Sequence, residues 1–547
     1  MPRAMHSLGV PRTTESSGSG VTSDPLRPQG SGDAPSGGRS AVFVGAGIFI
    51  SKVFGFVRER VFAHYFGSSG FADAWWAALR MPNVIRNLLG EGTLSASLIP
   101  VYVEFLEEGR EAEAARFAGA ALGILSILAG TLALGGMAVA PLLVSLFFPA
   151  WAPETQELTV LLVRILFPMT GLFVISAWAL GILNSHRTFF ITFVAPAFWN
   201  LAMIATLVAG AVYWGLDGRA LVVALAWGAL VGGALTLLVQ VPFLLRYTRG
   251  MRLSTGRGVP GVAEAVRTFV PVVSARGVVN ISGWIDMILA GRLLPGAVAV
   301  MGYAQTFSNL PISLFGTGVA AAELPELSRM RREDREALAQ RVAQALERAL
   351  LFLIPSAIAY LVMGDLIVGA LYQTGAFGEV QTLVTWAVLS MYALGLPASA
   401  SSRVLSSAFY ALRDTRTPAN MAYLRVFIAV GVGIAAMFPA DQLGFSTLRF
   451  GAAGLALGSS SGAWVEYLML RRSLNRQIGP HSAGGSRVLR MVLASVVAAA
   501  SGVGVQLLVP AWHPALVAIA SCLPFAAVYL GAVVLLDLGS TVRWGRR

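Results

Sequence analysis

The sequence is poor in charge and in the residues that build soluble catalytic or metal centres. Only 12% of its 547 residues are charged, about half the share that is usual in soluble proteins. Its one cysteine, Cys522, excludes an internal disulfide and a cluster of zinc-binding thiolates. The five histidines lie far apart along the chain, and no phosphate-binding glycine loop occurs. A soluble enzyme and an ATP-driven motor are therefore not indicated.

Apolar residues make up 56% of the chain. A helix that crosses a bilayer needs about 20 mostly apolar residues, and segments of that length recur from residue 41 onward. This predicts an all-α polytopic membrane protein with about fourteen transmembrane helices. The spans are expected near residues 41–66, 74–104, 117–148, 158–184, 189–213, 221–245, 262–291, 298–327, 342–372, 382–412, 418–438, 451–470, 488–509 and 515–537.

Basic residues are distributed unevenly between the predicted loops. Lys52 is the only lysine, so all the other basic residues among the 40 are arginines. The loops predicted on one side hold 22 arginines, whereas the opposite loops hold only Arg219, Arg292 and Arg449. Since basic residues accumulate in cytoplasmic loops, both termini are predicted to be cytoplasmic. The net charge of +12 is then explained by topology, and no nucleic-acid partner is expected.

An internal repeat relates the first six spans to the next six. Landmarks recur 229 residues apart: Pro82 with Pro311, Pro168 with Pro397, and Arg187-Thr188 with Arg416-Thr417. The Gly90-Glu91-Gly92 break resembles Gly316-Thr317-Gly318 if a small gap is allowed. Because six is even, both copies enter the membrane in the same orientation, which predicts two parallel lobes with a substrate cavity between them.

The predicted organisation begins with a disordered cytoplasmic tail, residues 1–40, which is rich in Ser, Gly and Pro and shows no cleavable signal peptide. The predicted units that follow are an N-lobe of spans 1–6 (41–246), a C-lobe of spans 7–12 (260–472), spans 13 and 14 (486–538) and a second cytoplasmic tail (539–547).

Charged residues inside spans are concentrated in the first two. A charge at the centre of a span costs at least about 2.5 kcal/mol, so such residues turn away from lipid and are often functional. Span 2 also breaks at Gly90-Glu91-Gly92, which requires a surrounding of protein or of water in a cavity. The predicted substrate-binding residues are Ser51, Lys52, Arg58, Glu59, Asp73, Asn83, Arg86 and Glu91.

Lys52, Arg58 and Arg86 suit a multiply charged anion, because arginine forks bind phosphate oxygens in pairs. The alternative is structural: Arg58, Glu59 and Glu91 would pair within the fold, while Arg60 and Arg80 would extend to the membrane interface.

These residues also carry a resemblance to a known family. The stretch from Ser51 to Glu59, followed by Phe66-Gly67, Ala72-Asp73-Ala74, Met81-Pro82-Asn83, Arg86 and Gly90-Glu91-Gly92 ending at Pro100, resembles the opening signature of the MurJ (MviN) family of lipid II flippases in the MOP superfamily. The resemblance implies a flippase rather than an enzyme. It would move an undecaprenyl-diphosphate-linked peptidoglycan precursor from the inner to the outer leaflet by alternating access.

The resemblance also implies the place and the partners of the protein. It implies a multi-pass protein of the bacterial inner (plasma) membrane whose partners are a lipid-linked diphosphate oligosaccharide, membrane lipids and the cell-wall synthesis machinery. The family's basic positions fall on Lys52, Arg58 and Arg86. Its acidic positions fall on Glu59, Asp73 and Glu91.

One motif departs from the family. Many members carry Ala-Asp-Arg in span 8, where this chain has Ala304-Gln305-Thr306, so the second-lobe cation is missing. A flippase for another polyprenyl-linked oligosaccharide therefore stays open, as do a MATE-like cation-coupled exporter and a nontransporting scaffold. Asp286 resembles a sodium ligand of some members, and a structural pair with Arg276 or another cation is the alternative. No other cofactor is expected.

Overall fold

The computed structural model describes residues 37–330, 334–442, 449–481, 483–509 and 513–538. Within these ranges the chain forms seventeen α-helices and no β-strand, so the predicted all-α class is confirmed. The helices are α1 (Gly37–Phe66), α2 (Gly70–Leu89), α3 (Glu91–Ser97), α4 (Ile99–Glu107), α5 (Glu111–Phe147), α6 (Pro153–Ser185), α7 (Phe189–Val212), α8 (Gly218–Leu244), α9 (Val262–Ala290), α10 (Ala297–Pro311), α11 (Gly318–Arg329), α12 (Arg335–Tyr372), α13 (Glu379–Ala411), α14 (Arg416–Gln442), α15 (Gly451–Ile478), α16 (Gly485–Leu508) and α17 (Pro514–Leu535).

The chain is a multi-pass membrane protein. In the described part, nine helices are long and apolar enough to cross a membrane, namely α5, α6, α7, α8, α12, α13, α14, α16 and α17. Helices α1, α2 and α15 contain charged residues that lower their hydropathy. Every predicted span coincides with one helix or with a run of consecutive helices, and the total of fourteen stays a prediction.

Two of the predicted spans are interrupted. The break predicted within span 2 at Gly90-Glu91-Gly92 is confirmed. Helix α2 ends before Gly90, which adopts an extended conformation, and α3 starts at the next residue. A side chain is excluded at Gly90, because a Cβ atom there would lie 2.3 Å from the carbonyl oxygen of Arg86. In the matching part of the repeat, a π-helical turn (Ile312–Thr317) separates α10 from α11. Irregular helical backbone at membrane depth requires a surrounding of protein or of water in a cavity.

The turns after α6 and α13 have the same geometry. Each contains an arginine with a left-handed backbone, Arg187 at φ 58° and Arg413 at φ 60°. Both turns close with a backbone hydrogen bond of 2.9 Å, from Thr188 to Leu183 in one and from Asp414 to Phe409 in the other. The structural equivalent of Arg187 is therefore Arg413 and not Arg416, because the capping turn aligns the two loops three residues earlier than the Arg-Thr pairs do.

Asp414 caps the start of α14. Its carboxylate accepts hydrogen bonds from the Thr417 hydroxyl at 2.6 Å and from the backbone N–H groups of Thr417 and Arg416 at 3.0 and 3.1 Å. The bond from the Thr417 hydroxyl contributes most to lowering the pKa of Asp414, and the backbone bonds add to it. Since the pKa is lowered in the folded state, the cap stabilises the protein above the unfolded pKa of about 3.9, and this stabilisation is lost as the pH falls.

We expect Asp414→Ala to lower the free energy of unfolding by about 1 kcal/mol at pH 7, the usual cost of losing such a cap. Chemical unfolding in detergent micelles measures the difference between the two proteins. The difference should shrink as the pH is lowered from 7 to 3. An equal loss at both ends of this range would contradict a role for the ionised carboxylate.

The helices pack in two groups. Helices α1–α8, here the first half, contact mainly one another, and so do α10–α15. We count α9 with α10–α15 as the second half, because the second copy of the sequence repeat begins with it. Helix α9 contacts α2, α3 and α5 of the first half as well as α10, α14 and α15. Helices α16 and α17 pack on each other and on α12. The division into lobes at residues 246 and 260 stays a prediction.

Candidate functional site

The two halves meet tightly at one end of the bundle, where the loops 67–69, 291–296 and 373–378 converge; we call it the closed end. Asp73 at the start of α2 is only 2% exposed. Its carboxylate accepts hydrogen bonds from the backbone N–H groups of Gly296 at 2.5 Å and Ala299 at 2.8 Å, at the N-terminus of α10. An acid of the first half thus caps a helix of the second half. A contact of Asp73 with substrate stays a prediction.

Arg60 makes the complementary contact at the closed end. Its Nη1 donates to the carbonyl oxygens of Ala370 at 2.7 Å and Leu371 at 2.8 Å, in the last turn of α12. The alternative that Arg60 extends to the membrane interface is therefore wrong, because the unpaired carbonyl groups at a helix C-terminus attract a cation more effectively. Two side chains of the first half thus bind helix ends of the second half: the acid Asp73 binds the N-terminus of α10, and the base Arg60 binds the C-terminus of α12.

Aromatic side chains fill the space between these contacts. Tyr303, Tyr372 and Phe377 are fully buried, and their ring centroids lie 4.9 to 5.6 Å apart. The Tyr303 hydroxyl donates to the carbonyl oxygen of Gly67 at 2.8 Å. The closed end is consequently a plug of packed aromatic side chains.

Arg58 and Glu59 connect this plug to the interior. Nη2 of Arg58 lies 3.0 Å from Oε1 of Glu59, so the structural alternative is confirmed for this pair. The other carboxylate oxygen of Glu59 accepts a hydrogen bond from the Tyr372 hydroxyl at 2.8 Å. Nη1 of Arg58 donates to Oδ1 of Asn200 at 3.1 Å. Glu59 therefore links α1 to α12 across the two halves.

Arg58 and Arg86 each lie over one ring of an aromatic pair. The Arg58 guanidinium is 5.0 Å from the ring centroid of Trp199, and that of Arg86 is 5.0 Å from the centroid of Phe173. The two rings are in edge-to-face contact at 5.6 Å. The guanidinium groups are close enough to repel each other. We call Arg58, Arg86, Phe173, Trp199 and Asn200 the arginine–aromatic cluster.

Arg86 differs from Arg58 in its partners. Among the described side chains no carboxylate forms an ion pair with Arg86, so the Phe173 face supports its charge without neutralising it. Sequence reasoning missed Phe173, Trp199 and Asn200. A signal was present, because Asn200 is a polar residue within the otherwise apolar α7.

The remaining predicted residues are more dispersed. Lys52 is exposed on α1, six residues before Arg58, or about 9 Å along the helix axis. Ser51 and Asn83 are half-buried. The side chain of Glu91 lies outside the described part of the chain. The structure therefore brings Arg58, Glu59 and Arg86 together, and the substrate contacts of the whole predicted set stay predictions.

Comparison with known proteins identifies the family to which this chain belongs. The family model described as lipid II flippase MurJ matches residues 62–524 of this chain. The chain belongs to the lipid II flippase MurJ family. It is 31% identical over 469 residues to a probable lipid II flippase MurJ of Rhizobium meliloti (strain 1021), covering 84% of each chain. It is 30% identical over 447 residues to the lipid II flippase MurJ of Burkholderia cenocepacia, covering 80% of this chain and 84% of the relative.

Solved structures share the fold. A lipid II flippase MurJ in an inward closed conformation matches 90% of this chain and 98% of its own, with a TM-score of 0.74 and 23% identity. An inward-facing multidrug resistance MATE transporter of the MOP superfamily matches 80% of this chain and 98% of its own, with a TM-score of 0.60 and 16% identity. At these identities the likeness establishes the fold alone. The resemblance to the MurJ family is confirmed by the family match.

The departure from the MurJ family at span 8 has a structural counterpart. Gln305 accepts a hydrogen bond from Nη1 of Arg80 at 3.3 Å and donates to the Tyr392 hydroxyl at 3.0 Å. The Thr306 hydroxyl donates to the carbonyl oxygen of Gly302 in its own helix, at 3.2 Å. The alternative that Arg80 extends to the membrane interface is wrong, because Gln305 of the second half binds its guanidinium. An arginine of the first half thus reaches the place where many MurJ-family members have Asp-Arg.

The surroundings of Asp286 do not fit a sodium ion. Its carboxylate accepts a hydrogen bond from the Ser459 hydroxyl at 3.2 Å and is attracted to two guanidinium groups, those of Arg80 and Arg425. Within the described ranges no group of three or more His, Cys, Asp or Glu side chains comes together. A sodium ion needs several oxygen ligands and is repelled by neighbouring cations. The other suggested partner, Arg276, has a side chain outside the described part.

Proposed function

We propose that the protein translocates lipid II, the undecaprenyl-diphosphate-linked peptidoglycan precursor, from the inner to the outer leaflet of the bacterial inner membrane. Membership of the MurJ family supports this activity. The observation that carries the substrate assignment is the arginine–aromatic cluster, with Arg86 on an aromatic face and without a carboxylate partner among the described side chains. The proposed diphosphate ligands are Arg58, Arg86 and the more exposed Lys52.

The chemistry of the cluster suits a diphosphate. An aromatic face stabilises a guanidinium by roughly 0.5–2 kcal/mol, yet it leaves the N–H groups of the arginine free to bind an anion. A carboxylate partner would occupy these groups and cancel the charge. Arg58 is already shared between Glu59 and Asn200, so Arg86 is the stronger candidate for a bidentate contact with phosphate oxygens.

The arrangement of charge supports an orientation of the protein in the membrane. Because arginine-rich loops are typical of the cytoplasmic side, we propose that both termini are cytoplasmic and that the closed end faces the outside of the cell. The described structure then corresponds to a state that is shut toward the outside. Alternating access requires the contacts of Asp73, Arg60 and Glu59 with the second half to break while substrate is released. Cell-wall synthesis enzymes that consume lipid II outside are the proposed partners.

Complementation tests the proposal. The chain is expressed in a bacterium depleted of its own lipid II flippase, and growth is followed together with the amount of lipid II that accumulates in the inner leaflet. We expect growth to recover and the accumulated precursor to fall to the level of undepleted cells. If the expressed protein reaches the membrane while lipid II still accumulates, the proposal is wrong. Clearance of a different polyprenyl-linked sugar would then identify the alternative substrate.

A further inference from the structure

Arg80 of the first half contacts α9 of the second half beside Asp286. A Cβ atom added to Gly283 would lie only 2.1 Å from Nη2 of Arg80, so the guanidinium rests directly on the α9 backbone at that glycine. Gly283 precedes Asp286 by three residues, and residues three apart lie on one helix face. The guanidinium therefore lies on the face of α9 that carries the carboxylate. The described contacts include no direct ion pair between the two groups, but their charges attract.

Neighbouring polar groups complete this arrangement. Gln305 holds Arg80 from α10, and Ser459 holds Asp286 from α15. Arg425, the second cation near Asp286, already forms an ion pair with Glu466 at 2.9 Å. Among the described side chains, Arg80 is left without another carboxylate, so it is the cation available to Asp286.

We propose that Arg80 is the built-in counter-cation of Asp286, delivered by the first half when the halves close, and that it takes the place of a dissolved sodium ion. A buried carboxylate requires a neutralising partner. A tethered guanidinium meets this need at a high effective concentration, and its charge repels other cations. The attraction between the two charges thus favours the closed state, and opening separates them. The inference does not depend on which lipid is transported.

A distance measurement between spin labels tests the inference. The labels are attached through Asp217→Cys in the first half and Glu379→Cys in the second, both exposed near the closed end, with Cys522→Ser to remove the native thiol. The protein is placed in nanodiscs and its distance distribution is compared in NaCl and KCl of equal ionic strength. We expect the closed population to be the same in both salts within about twofold.

Gly283→Ala displaces the Arg80 guanidinium but keeps both charged residues. We expect this variant to lower the ratio of closed to open molecules at least about tenfold. Gly431→Ala is the matched control, because nothing lies within 4 Å of the added atom on α14. Arg80→Gln is the second variant and should open the protein to a similar extent. In the Asp286→Asn background, Gly283→Ala should have a much smaller effect if the two charges act as a pair.

Three results would overturn the inference. The first is a larger closed population in sodium than in potassium, by tenfold or more, in the unchanged protein. The second is a distance distribution of Gly283→Ala that equals that of Gly431→Ala. The third is an effect of Gly283→Ala that is undiminished in the Asp286→Asn background, because the added methyl group would then act through packing alone.

Discussion

Arg86→Ala is expected to abolish complementation by this chain while its amount in the membrane stays unchanged. Arg86 rests on the face of Phe173 and has no carboxylate partner among the described side chains, so its removal leaves no unpaired acid behind. Losing one partner of a charged, hydrogen-bonded contact costs about 2–5 kcal/mol. Even the lower value corresponds to a roughly 30-fold loss in binding. Growth of the depleted strain and the accumulation of lipid II measure the loss.

Two further variants make the Arg86 experiment specific. Arg164→Ala is the matched control, because Arg164 is an exposed arginine of α6 whose guanidinium contacts only the Met137 carbonyl in the described part; it should complement normally. Arg86→Lys keeps the charge but loses the planar fork, and we expect partial activity. Normal growth with Arg86→Ala would show that this cation does not bind the diphosphate.

Asp73→Ala should open the closed end. The substitution removes two charge-assisted hydrogen bonds to the backbone of α10, at Gly296 and Ala299, each worth about 1.5–3 kcal/mol. It also removes the negative charge at the N-terminus of that helix. A combined loss of about 3 kcal/mol lowers the ratio of closed to open molecules roughly 100-fold. The spin-label pair at positions 217 and 379 detects this change as a shift to longer distances.

The control for Asp73 is another acid near the same end. Glu154→Ala removes an exposed carboxylate from the first turn of α6 and should leave the distances unchanged. Asp73→Asn keeps one oxygen that accepts a hydrogen bond, so we expect an intermediate shift. Unchanged distances in Asp73→Ala would mean that the aromatic plug of Tyr303, Tyr372 and Phe377 holds the halves together without the cap.

The outcomes for individual residues show which predictions sequence can support. The break at Gly90 and the pairing of Arg58 with Glu59 involve neighbours in the chain, and both agree with the structure. The structural alternative put Arg60 and Arg80 at the membrane interface, yet each binds the second half. The sequence around Arg60 and Arg80 allows each side chain to point either to the membrane interface or to the second half. Which of the two occurs depends on polar groups more than two hundred residues away.

The sequence by itself determined the membrane environment, the helical class, the positions of the helices and the family, because hydropathy, helix-breaking residues and short motifs act locally along the chain. Only the tertiary structure decided the partners that lie far from each charge in the sequence. Asp73 and Gly296 are 223 residues apart, Glu59 and Tyr372 are 313 apart, and Arg58 and Asn200 are 142 apart. Such contacts depend on how the helices pack, since a buried charge binds whichever polar group the packing brings within reach.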